Sequence, residues 1–118
     1  MRDLIVAELQ RDGYRVLGAA NADELLDRIG EVAATREDGA AAVALIISDV
    51  RMPGLTGVDL LAALRWSAWT TPVILITAFG DPALHAKARS LGALSVLDKP
   101  FPLEELRMLV RRTLPPAA

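Results

Sequence analysis

Leu45-Ile46-Ile47-Ser48-Asp49-Val50-Arg51-Met52-Pro53-Gly54 is the stretch from which the rest of this chain is read. It opens as an apolar run of strand-forming residues, the pattern of a strand buried on both faces of a parallel sheet. It closes on a carboxylate, Asp49, and then on a turn signal, Met52-Pro53-Gly54. In open α/β sheets, ligands and chemistry collect beyond the carboxyl ends of the strands, which is where Asp49 stands. A lone Asp there is otherwise an ordinary turn carboxylate. The flanking segments decide between the two.

Downstream, the pattern repeats. Thr56 or Gly57 opens a helix through about Trp66, with Val58, Leu61 and Leu64 inward. Thr71-Pro72 breaks it, and Val73-Ile74-Leu75-Ile76-Thr77 is a second apolar strand with a polar end. Asp81-Pro82 is a cap followed by Pro at the first helical position, opening a helix with Leu84, Ala88 and Leu91 inward that stops at Gly92. Leu94 to Leu97 is a third short strand, ending in Asp98-Lys99-Pro100, and Pro102 to Arg112 is a last helix built on Leu103, Leu106, Leu109 and Val110. Upstream, Arg2 to Arg11 is a helix with Leu4, Ile5 and Leu9 on one side, stopped by Asp12-Gly13. Tyr14 to Ala19 alternates as a strand. Asn21-Ala22-Asp23-Glu24 is a capping-box start for a helix carrying Leu25, Leu26, Ile29, Val32 and Ala33, which fades in the polar loop Thr35-Gly39. Helices alternating with strands mean a doubly wound parallel sheet, with helices on both faces.

The chain has 118 residues, one domain's worth, with 53% hydrophobic residues and a formal net charge of -2. Residues 1–114 form that domain and Pro115 to Ala118 a tail. The charge gives no basic field for direct nucleic acid binding. No Cys is present, which excludes disulfides and thiolate chemistry and fits a cytoplasmic setting. The longest apolar run, Ala40 to Ile47, is too short to span a membrane.

Three successive strands end in Asp49, Thr77 and Lys99. Strand ends of one parallel sheet converge on one edge, so these side chains can meet. A carboxylate can be a nucleophile toward phosphorus, a hydroxyl can donate to a phosphoryl oxygen, and an ammonium can neutralise its charge. Each has an ordinary reading when taken singly: Thr77 a turn cap, Lys99 a solvated strand end. His85 reads as solvated, Trp66 and Trp69 as core or edge packing, and Arg107, Arg111 and Arg112 as a solvated face at the end of the last helix.

As an ordered set, these residues resemble the receiver domain of bacterial two-component response regulators. Asp49 with Met52-Pro53-Gly54 and Gly57 is similar to the phosphoacceptor loop. Thr77-Ala78 is similar to the hydroxyl position and the small residue after it. Lys99-Pro100-Phe101 is similar to the family's Lys and the Pro after it, usually joined by a cis peptide. The resemblance runs from Arg2 to about Leu114. It implies a flavodoxin-like, receiver-like sheet. It also implies phosphotransfer from a histidine kinase or phosphotransfer protein to Asp49 with Mg²⁺, a phosphorelay switch and not an enzyme. An aspartate-nucleophile phosphatase would carry a second Asp where this chain has Arg51.

Two departures set further expectations. Met1 aligns within the family's first helix, so the usual first strand and its two metal-holding acids are expected to be lacking. Of the implied metal ligands, Asp49 and the backbone carbonyl of Arg51 remain, a poor set for Mg²⁺, which prefers near-octahedral oxygen coordination, so weak or absent binding is expected. Asp3 and Asp98 do not stand at the missing positions. Without a central strand between the Val16 and Ile46 segments, a homodimer is expected, with exchange of an element between copies as one way to fill the gap and an internal rearrangement of the sheet as the alternative. The second departure is Val96, where the family usually carries Tyr or Phe three residues before the Lys. Loss of the acidic pair also makes a degenerate receiver, acting as a phosphorylation-independent interaction module, the alternative reading.

Overall fold

The computed structural model describes residues 2–34, 43–51, 56–66, 70–78 and 81–114. Its elements run α1 (Arg2–Arg11), α2 (Ala22–Ala34), β1 (Ile46–Asp49), α3 (Gly57–Trp66), β2 (Val73–Thr77), α4 (Pro82–Ser90), β3 (Ser95–Asp98) and α5 (Leu103–Thr113). The three strands form one parallel sheet in the order β1-β2-β3. Ile46 lies opposite Val73, and Ile74 opposite Ser95. Every residue of β2 is buried, which explains its unbroken apolar sequence: its side chains alternate between two covered faces. Val73 and Leu75 join Ile46, Leu61 and Ala88 under α3 and α4. Ile74 and Ile76 join Leu97, Ile5, Leu9, Leu106 and Val110 under α1 and α5.

Local chemistry sets the helix ends. Asn21 Oδ1 accepts from the Glu24 N–H at 2.8 Å, Thr56 Oγ1 from Asp59 N–H at 3.0 Å, and Asp81 Oδ1 from Leu84 N–H at 2.7 Å. Each satisfies a helix-start donor that has no intrahelical partner. Beyond the C-termini of α1 and α4, Gly13 and Gly92 take the left-handed conformation, at φ +96 and +82.

The structure corrects several expectations. Residues 14–19 belong to no strand. Their alternation survives as burial: Tyr14 and Val16 are half-buried against the core that holds Ile5, Leu9 and Leu106, while Arg15 and Leu17 are exposed. The Tyr14 hydroxyl donates to the Leu114 carbonyl. Alternation encodes a half-buried path, whereas a strand also needs a ladder partner. Among the described residues, β1 at the sheet edge pairs with β2 alone. Trp66 is 93% exposed, because the inward arc of α3 runs through Leu60, Leu61 and Leu64 and Trp66 falls on the far side. Leu4 and Leu26 are exposed for the same reason: the i,i+4 pairs Ile5/Leu9 and Leu25/Ile29 set the inward faces. Trp69, the Met52-Pro53-Gly54 turn, the Thr35-Gly39 loop and the tail lie outside the described residues. The side chains of Val32 and Ala33 do as well.

Candidate functional site

The sheet register assembles the site. Asp49 ends β1 opposite Ile76, and Ile76 lies opposite Leu97. One step further along the strands, Thr77 lies opposite Asp98, and Lys99 follows. Strand alternation then puts Asp49 and Lys99 on the α1/α5 side of the sheet. Lys99 Nζ approaches Asp49 Oδ1 to 3.2 Å across the breadth of β2. The Asp49 side chain keeps 51% of its surface, so it is open to an incoming group while paired.

The backbone is fixed from three directions. Val50 N–H donates to the Ile76 carbonyl at 2.8 Å, and Lys99 N–H donates to the Thr77 carbonyl at 2.8 Å. Gly57, the first residue of α3, donates its N–H to the Val50 carbonyl at 2.7 Å. A Cβ on Gly57 would stand 2.6 Å from the Asp49 carbonyl oxygen, so the helix start abuts the backbone of the site. The Lys99–Pro100 peptide is cis, as the resemblance implied.

The residues singled out by sequence divide as follows. Asp49 and Lys99 are in contact. Thr77 is buried at the end of the strand between them. Arg51 is exposed just past the strand end. Asp98 does not join the site: its carboxylate takes His85 Nε2 at 3.1 Å to each oxygen. His85 is therefore a partly buried partner, at 29% side-chain exposure, and not a solvated residue. Asp3 lies on α1 with a fully open side chain, 3.9 Å from Arg2. Among the described residues no group of three His, Cys, Asp or Glu gathers in the geometry of a metal site. Asp49 offers one carboxylate, already paired with an ammonium, and the Arg51 carbonyl adds one neutral oxygen. Among the described residues that is a poor set for Mg²⁺, because it leaves most of the octahedron to water and to an incoming phosphoryl group.

Sequence reasoning missed two clamps. Arg107 is not solvated: Nε and Nη2 reach the two Asp12 oxygens at 2.9 and 2.6 Å, and Nη1 reaches Glu104 at 2.9 Å. The hydrogen bond from Arg107 holds the Asp12 carboxyl below its ordinary range, aided by the Arg107, Arg111 and Arg11 charges and opposed by desolvation. Arg111 lies at the rim of this cluster, 3.9 Å from Asp12, and Arg112 is exposed. Arg65 donates to the carbonyls of Leu91, Gly92 and Thr71 at 3.0, 3.2 and 3.1 Å. A basic residue in the last turn of a helix was the available signal, but its acceptors are distant in sequence.

Comparison with known proteins adds a second line. A family model described as "Response regulator receiver domain" matches residues 1–111. Sporulation initiation phosphotransferase F of Bacillus subtilis is 30% identical over 115 residues, covering 98% of this chain and 86% of that protein. The C4-dicarboxylate transport transcriptional regulatory protein DctD of Pseudomonas aeruginosa is 46% identical over 70 residues, 59% of this chain and 15% of that protein. The chain likewise spans 32% of the transcriptional regulatory protein FixJ. Among solved structures, chemotaxis protein CheY4 of Vibrio cholerae superposes with a TM-score of 0.76 at 31% identity, covering 96% of this chain and 88% of that one.

Proposed function

The chain belongs to the response regulator receiver domain family, the signalling modules of two-component phosphorelays, and from that membership we propose that Asp49 is the residue that accepts the phosphoryl group. The observation that carries this is the 3.2 Å contact between Lys99 Nζ and Asp49 Oδ1. Residues far apart in sequence are brought together at the strand ends, with the acidic partner half open. The donor is the phosphohistidine of a histidine kinase or phosphotransfer protein. An Asp49 oxygen attacks phosphorus, the P–N bond breaks, and the departing imidazole keeps the electron pair and takes up a proton. The product is an acyl phosphate. As negative charge builds on the phosphoryl oxygens, the Lys99 ammonium turns from the carboxylate to them. Thr77 supplies a hydroxyl donor from the middle strand. The domain acts as a switch and not as a turnover enzyme. Output through further domains, as in transcriptional regulators, is part of the proposal.

The remaining assignments follow this reading. Residues 1–114 act as the domain and 115–118 as its tail. Asp49 and the Arg51 carbonyl are the oxygens this chain offers magnesium, and they bind it weakly. The domain works in the cytoplasm, consistent with the absence of Cys. It makes no direct contact with nucleic acid. No described helix is long and apolar enough to cross a membrane. It forms a homodimer: β1 is flanked by apolar cores on both faces yet has one strand neighbour among the described residues, and exchange of an element between copies fills such an edge. Light scattering across micromolar concentrations tests the dimer, and a monomer throughout refutes it. For Asp49, incubation with acetyl phosphate should add one phosphoryl group to the protein mass, and Asp49→Asn should abolish the addition. Labelling that survives the substitution refutes the assignment.

A further inference from the structure

We infer that His85 is a positioning residue for Lys99: its grip on Asp98 ties helix α4 to the strand end that presents the ammonium to Asp49. This rests on the reading of Asp49 as phosphoacceptor.

Asp98 and Lys99 are consecutive, so their side chains leave the strand end on opposite faces. Lys99 points to Asp49, at 3.2 Å. Asp98 points to the α4 side, where His85 Nε2 sits 3.1 Å from each of its oxygens. The backbone between them is pinned once by the Lys99 N–H to the Thr77 carbonyl, at 2.8 Å. The His85–Asp98 pair pins it a second time, from a different element. One contact sets where this backbone lies, and two also set how it is rotated. Rotation there decides where a long, four-carbon side chain delivers its ammonium.

Two further observations give the pair its leverage. The C-terminal end of α4 is held by Arg65, whose guanidinium donates to the Leu91 and Gly92 carbonyls and to that of Thr71. Between α4 and β3 lies a cleft of about 400 Å³, lined by His85, Arg89, Ala93, Leu94, Ser95 and Val96. Arg89, Ala93 and Leu94 line this cleft at the clamped end of α4, and His85 is the side chain that reaches from the early turns of the helix to the strand end.

The test compares His85→Ala, Asp98→Ala, the double variant and His85→Gln in the full 118-residue chain. Two quantities are read: the rate of phosphoryl addition from acetyl phosphate, and the amide and Nζ chemical shifts of Lys99. Each alanine variant should slow addition by about three- to tenfold and move the Lys99 shifts, and the double variant should add nothing further, because both act through one pair. His85→Gln, which keeps an N–H donor for Asp98, should recover most of the rate. A merely structural His85 would lower stability without this rescue, so urea unfolding is measured in parallel. Unchanged Lys99 shifts in His85→Ala, or additive losses in the double variant, overturn the inference. If the unsubstituted chain takes up no phosphoryl group, the phosphoacceptor reading fails by itself, and the Lys99 shifts still decide whether His85 positions that side chain.

Discussion

Replacing Gly57 with alanine brings two opposed terms into play at the start of α3. Alanine is the better helix former by about 1 kcal/mol in a helix interior, and by less at the first position. Against this, the new methyl carbon would lie 2.6 Å from the Asp49 carbonyl oxygen and 3.1 Å from both Val50 Cα and Leu75 Cδ2. Two of those three atoms are backbone, so no rotamer change relieves the clash. Forcing an extra methyl into a packed site costs roughly 1–3 kcal/mol. If α3 retreats instead, the 2.7 Å bond from Gly57 N–H to the Val50 carbonyl lengthens, at about 1 kcal/mol. The steric term wins, and Gly57→Ala should destabilise by roughly 1–3 kcal/mol. With a urea slope of about 1–3 kcal/mol/M for a small domain, the unfolding midpoint falls by roughly 0.3–3 M at unchanged slope. Because the displaced backbone is that of Asp49 and Val50, phosphoryl addition should slow as well. A variant as stable as the parent, with an unchanged rate, would refute the close approach.

Further outcomes follow from the clamps and the site. Arg107→Met removes the partner that lowers the Asp12 carboxyl below 3.8. A depressed folded value stabilises fully above the unfolded one and fades as pH falls through the folded one. The thermal midpoint of Arg107→Met should therefore lie below the parent's at neutral pH, with the gap closing below about pH 4, and a gap constant with pH contradicts this. Lys99→Ala should slow phosphoryl addition to Asp49 by at least about tenfold while leaving the fold intact, and an unchanged rate removes Lys99 from the chemistry. A magnesium titration should show little saturation at millimolar metal, whereas a tight stoichiometric isotherm would mean that another carboxylate has joined Asp49. Leu106→Ala, at a fully buried position under the sheet, should cost about 2–5 kcal/mol in urea unfolding, and a loss under 1 kcal/mol would show that the α5 side collapses around the cavity.

What the sequence made legible was what local patterns encode. The apolar runs at Ile46 and Val73, the caps at Asn21, Thr56 and Asp81, and the stops at Gly13 and Gly92 each carry their own physical cause within a few residues. Because strand ends share an edge, the meeting of Asp49 and Lys99 could be deduced from element order alone. Contacts between side chains on distant elements could not. Nothing near Arg107 announces Asp12, and nothing near His85 announces Asp98, since both partners arrive only through packing. Residues 14–19 show the limit from the other side. Their alternation matches the half-burial of Tyr14 and Val16, but it is silent on whether a neighbouring strand exists to complete a ladder. Trp66 was misjudged because residue type was weighed above helical phase.

If the Asp49 carboxylate receives phosphorus, the product is an acyl phosphate. An acyl phosphate is reduced by borohydride to the corresponding alcohol, which converts a phosphorylated aspartate to homoserine and marks its position permanently. The chain should be treated with acetyl phosphate, reduced, digested and sequenced by tandem mass spectrometry. Homoserine is expected at position 49 and at no other aspartate, with none in untreated protein. Homoserine at Asp59, Asp81 or Asp98 while Asp49 stays intact would contradict that assignment.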